Sequence, residues 1–162
     1  MSDYFDEDLD AAFDRALDTL LRTTPVEYDY DPEAADCGLS LLDLYADRDI
    51  TPREAMSHDA WARLQREWVA FVDHHEGAIR RAMRTRDHLP TCIGIHDGPY
   101  VDCAPAYDLD DVAHDWVLTR NRHGVGFWDR GLGIAGELLT RGAHFDGEVD
   151  AYVGDDGLVY VM

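Results

Sequence analysis

The chain is 162 residues long with 46% apolar and 10% aromatic residues, which fits one domain of ~100–200 residues and is too apolar for a disordered segment. It carries 34 acidic against 14 basic residues, a net charge of −20, and every base is arginine, since the chain has no lysine. This argues against direct binding to nucleic acid or to an anionic membrane surface. The opening MSDYFDEDLD has neither the basic n-region nor the apolar h-region of a signal peptide, so the expected location is the cytoplasm.

The acidity is uneven. Residues 1–50 hold fifteen acids and three arginines, residues 51–100 seven of each, and residues 101–162 twelve acids and four arginines. Over 6–23, Leu9, Phe13, Leu17, Leu20 and Leu21 recur at three- and four-residue steps, which predicts an amphipathic helix. Its other face carries Glu7, Asp10, Asp14 and Asp18 in one stripe, although like charges so spaced cost about 0.2–0.5 kcal/mol per pair in an isolated helix. Asp6, Glu7 and Asp8 suit the helix N-terminus, whereas Asp14 and Asp18 are not explained that way. Glu27-Tyr28-Asp29-Tyr30-Asp31, ending at Pro32, reads as an exposed acidic and aromatic loop.

Residues 37–46 predict a short buried helix through Leu39, Leu41, Leu42, Leu44 and Tyr45. Thr51-Pro52-Arg53-Glu54 has capping-box spacing with proline at the first helical position, and Ser57 offers a second start. From there Trp61, Leu64, Trp68, Phe71, His75, Ala78 and Ala82 mark one face of a long helix reaching about residue 87. That face serves equally for packing within one chain or across a homodimer. His75 reads as a core histidine, and Arg80, Arg81, Arg84 and Arg86 suit the helix C-terminus.

Residues 91–103 predict two short strands about Asp97-Gly98 that set Cys92 opposite Cys103, with Pro99 weakening the register. Cys37, Cys92, His96 and Cys103 would make an ordinary structural zinc set, but no Cys-x-x-Cys pair is present. Free thiols are the reading preferred, with no metal and no cofactor expected.

Asp108-Leu109-Asp110-Asp111 has the acids of a helix start, followed by a turn or two. Trp116-Val117-Leu118-Thr119 and Val125-Gly126-Phe127-Trp128 predict strands flanking a turn at residues 120–124. Residues 131–142 predict a helix with Leu132, Ala135, Leu138 and Leu139 inward, and 149–153 and 158–161 predict two further strands about Asp156-Gly157. The expected fold is α+β: a helical N-terminal half, then a small antiparallel sheet of ββαββ order. The expected organisation is an acidic helical region at 1–50 and an α+β domain at 51–162, together one folded unit.

The run from His114 to Asp129, HDWVLTRNRHGVGFWD, with Gly147 to Gly157, GEVDAYVGDDG, resembles a family of small bacteriophage and mobile-element proteins that carry no assigned activity. The similarity covers roughly residues 50–161, and the acidic first fifty residues and the Cys92–Cys103 hairpin depart from it. The resemblance implies an accessory protein working in the cytoplasm of a host cell, and it supplies no catalytic residues.

Three functional readings follow. Carboxylates and tyrosines, here Glu7, Asp10, Asp14, Asp18, Tyr28, Asp29, Tyr30 and Asp31, can occupy the basic groove of a nucleic-acid-binding host protein and inhibit it as a DNA mimic. This non-enzymatic anti-defence reading is the leading one. Alternatively Arg120, His123 and Asp129 form a small acid–base or anion site on the 116–129 hairpin. In the third, the protein is an interaction module whose acidity is only adaptation to salt.

Overall fold

The computed structural model describes residues 6–26, 31, 33, 35, 37–46, 48–86 and 107–162. Helix α1 (Asp6–Thr23) fills its expected span. Phe13, Ala16, Leu17, Leu20 and Leu21 are buried along its inner face. Just past its end the Thr24 hydroxyl donates to the Leu20 carbonyl at 2.8 Å, one of the acceptors a helix terminus leaves free.

The short helices α2 (Leu41–Ala46) and α3 (Pro52–Ala55) come before the long one. The capping box read from Thr51 and Glu54 forms as expected, with both reciprocal bonds present. Helix α4 (His58–Arg86) runs for 29 residues and opens where the Ser57 hydroxyl accepts from the Ala60 amide at 3.3 Å.

Beyond it lie α5 (Leu109–Arg120) and α6 (Ile134–Asp146), with a 3₁₀ turn at Phe127–Asp129 between them. Helix α1 lies mainly against α5, and α6 packs on both α4 and α5. An aromatic cluster fills their meeting point. Ring centroids are 5.5 Å apart for Trp68 and Trp116, 5.9 Å for Phe71 and Trp116, and 6.0 Å for Phe71 and Phe127. The buried Trp68 indole N–H donates to the Leu9 carbonyl at 3.2 Å, tying α1 to α4.

Strands β1 (Ala151–Val153) and β2 (Val159–Val161) form an antiparallel ribbon in which Tyr152 pairs with Tyr160. A ribbon of three residues per strand is too small to stand alone. It is anchored by the Ser57 amide on the Val159 carbonyl at 2.8 Å and by the Tyr45 hydroxyl on the Gly157 carbonyl at 2.9 Å.

The chain is thus α+β, but the ββαββ order is wrong: among the described residues there is one sheet, of two strands. Trp116-Val117-Leu118-Thr119 is the second half of α5, and Val125-Gly126-Phe127-Trp128 is loop and 3₁₀ turn. Asp108 and Asp111 close a reciprocal capping box that starts the helix. Residues 115–120 are then buried on every side. A helix enclosed all round loses its 3.6-residue polarity pattern, so its apolar run imitates a strand. The strand pair expected about Asp97-Gly98 lies outside the described residues.

Candidate functional site

The 114–130 segment is organised by two buried charges on α5. Asp115 is fully buried. Its carboxylate accepts from the Tyr107 hydroxyl at 2.9 Å, from Arg130 Nε at 2.9 Å and Nη2 at 2.6 Å, and lies 3.2 Å from His114 Nδ1. The two-armed arginine contact pins the 3₁₀ turn to the helix. Burial, with the Asp115 carboxylate alongside, drives the Tyr107 hydroxyl far above its ordinary pKa, so it stays protonated and donates.

One turn further on, Arg120 is 1% exposed. It donates to Glu67 at 2.8 Å and to the carbonyls of Gly147 at 2.6 Å and Asp146 at 3.2 Å, and stacks 4.7 Å over the Trp116 ring. Burial pushes the Glu67 carboxyl up, but hydrogen bonds from Arg63 and Arg120 outweigh this and hold it below its usual value. Thr119 completes the set, its hydroxyl accepting from the Phe127 amide at 3.1 Å.

The residues of the hairpin reading are therefore not brought together. Arg120 is buried and engaged by Glu67 and two carbonyls, whereas His123 and Asp129 are exposed on the loop and the 3₁₀ turn. Among the described residues no side-chain hydrogen bond or ion pair joins any two of the three. A guanidinium so enclosed, with each of its three nitrogens bonded inside the protein and only 1% of the residue exposed, holds helices together and does not face an external anion.

The acidic face is laid out differently. Asp8, Asp10 and Asp14 are exposed on α1. Gln65 reaches Asp10 at 3.5 Å, and no ion pair among the described residues involves any of the three. Asp18 is half-buried and lies near Arg15 at 3.3 Å and Arg22 at 3.4 Å. Glu7 belongs to the first turn of α1. Asp31 is half-buried, and Tyr28, Asp29 and Tyr30 lie outside the described residues.

Sequence reasoning missed that α5 extends this face. Burial raises the Asp110 carboxyl and Asp108 reinforces the shift, while from α1 Arg15 opposes it and Asp8 adds a smaller push upward, so the start of α5 lies beside the acids of α1. Asp111 is raised as well, chiefly by burial. The acids at 108–111 were legible as a helix start, but only the packing of α1 on α5 sets them beside Asp8.

Of the zinc set, Cys37 is exposed, and Cys92, His96 and Cys103 lie outside the described residues. Among those described, no three His, Cys, Asp or Glu side chains gather as metal ligands. No described helix is long and apolar enough to cross a membrane.

No known protein family, curated protein or solved structure matches the chain.

Proposed function

We propose that this protein binds another protein through the carboxylate face of α1 and the start of α5, and that its partner is a nucleic-acid-binding protein whose cationic groove the face occupies. The observation that carries this reading is geometric: Asp8, Asp10 and Asp14 on α1 and Asp108 and Asp110 at the start of α5, which packs against α1, are all exposed and outside any described ion pair. Carboxylates on two packed helices are fixed in position, and a fixed array loses less side-chain entropy on docking than flexible acids do. Complementary potentials then speed encounter and select a basic partner. On the resemblance read from residues 114–129 and 147–157 of the sequence, we propose that this partner is a host defence component, inhibited by occupation of its nucleic-acid site in the host cytoplasm. No catalysis enters this proposal.

The test is capture from host lysate with DNA as competitor, repeated with Asp10, Asp14 and Asp18 all replaced by arginine. The reading requires a nucleic-acid-binding protein that DNA displaces and that the triple variant no longer retains while melting near the wild-type temperature. Undiminished capture by the triple variant, or a captured partner indifferent to DNA, refutes it.

A further inference from the structure

Helix α6 presents an apolar stripe to solvent. Ile134 is 60% exposed, Leu138 46% and Phe145 91%, so Leu138, expected inward with Leu139, in fact faces out. At 100° per residue these three fall within a sector of about 40°. Trp128, 45% exposed, lies beside the helix with its ring 6.4 Å from that of His144. A concentration of large apolar side chains on one helix marks an interface.

Charge identifies the occupant. Glu137 and Arg141 flank the stripe, both exposed. They stand one turn apart, the spacing at which a helix forms internal ion pairs, yet no described ion pair or side-chain hydrogen bond involves either of them. The face is also self-complementary. If a second α6 runs antiparallel across a two-fold axis near the middle of the helix, Ile134 of each copy meets Phe145 of the other, and Leu138 meets the stem of Arg141. On the shared flank Glu137 of each copy then comes beside Arg141 of the other. A two-fold interface must present one patch twice in this way.

We propose that α6 is a homodimerisation face, with a second copy of this chain packed antiparallel on Ile134, Leu138 and Phe145 and two reciprocal Glu137–Arg141 pairs along its edge. With a charge of −20 on each chain, long-range repulsion opposes association, so added salt strengthens the dimer until the two edge pairs are themselves screened.

Sedimentation equilibrium on the full chain from about 1 μM to about 1 mM, in about 0.05 M and about 0.5 M salt, tests this. A monomer–dimer equilibrium that tightens with salt is expected. Leu138→Arg should weaken it roughly tenfold or more, and because Leu138 is outside the core its melting temperature should hold. Glu137→Arg and Arg141→Glu should each weaken the dimer, and the two together should restore it. A chain monomeric throughout, as it would be if another segment of the same chain covered the stripe, overturns the proposal. So does a dimer unaffected by Leu138→Arg, which would place the interface elsewhere, or a charge swap that restores nothing.

Discussion

Replacing Asp115 by asparagine would test whether the 114–130 segment is a scaffold. The side chain keeps its shape and can still accept from Tyr107, but the negative charge facing the two-armed Arg130 contact is gone. Removing one partner of a buried pair costs about 3–5 kcal/mol, because the other charge is left uncompensated. Asp115 is fully buried, but the Arg130 side chain is 27% exposed and water can take up part of its charge, which puts the loss near the lower end, at about 3 kcal/mol. Against a total stability of about 5–15 kcal/mol that is a large fraction. At about 2–4 °C per kcal/mol for a chain of this size, the melting temperature should fall by about 6–12 °C. Urea unfolding followed by tryptophan fluorescence reads it directly, because Trp68 and Trp116 sit at the core. The midpoint should move with the slope unchanged. A cycle with Arg130→Met should show the double variant losing less than the sum of the singles by about 1 kcal/mol or more. A loss below about 1 kcal/mol for Asp115→Asn, or strict additivity in the cycle, would refute the view that this pair holds the 3₁₀ turn to α5.

Thr119→Val should cost about 1–3 kcal/mol in a denaturant titration, since it strips the Phe127 amide of its acceptor inside the core. Gly142 of α6 packs against His75 of α4: a Cβ there would run into the imidazole. Gly142→Ala should therefore lose about 1–3 kcal/mol to overpacking, partly offset by about 1 kcal/mol of helix propensity, and adding His75→Ala should recover stability in the same thermal melt. Burial, reinforced by neighbouring His74 and opposed by Asp146, holds the His75 pKa below its ordinary value. The folded state then binds fewer protons than the unfolded chain just below about pH 6.5, so stability falls as pH drops from there through the folded pKa. His75→Gln should flatten the change in melting temperature between about pH 7 and about pH 5, and an unaltered slope would dismiss this residue as a contributor.

What the sequence made legible was local and chemical. The α1 periodicity, the Thr51–Glu54 capping box and the Gly154–Gly157 turn each follow from neighbours within a few residues, and each is present. The failure at 116–128 has one cause. Helix α5 is shielded by α1 on one side and by α6 on another, so over residues 115–120 the polar positions Asp115, Thr119 and Arg120 are buried too, and that stretch has no solvent-facing residues to reveal the helical period. The same enclosure explains the misreading of Arg120. In sequence it sits among His114, His123 and Asp129 like a member of an acid–base site, whereas its partners are Glu67 and the C-terminal end of α6 at Asp146 and Gly147, which no spacing rule joins to it. The acidic stripe of α1 was visible from steps of three and four, but its continuation onto α5 depended on which helix α1 packs against.

Asn121, at the end of α5, has a side-chain amide that donates to the Val149 carbonyl at 3.0 Å and accepts from the Val149 amide at 2.8 Å. Those are the two bonds a neighbouring strand would make with Val149. A single side chain thus serves as the next strand, two residues before β1 begins, and leaves no free donor and acceptor at that residue for another chain to extend the sheet. The ribbon can stay narrow because a helix terminus supplies the missing rung.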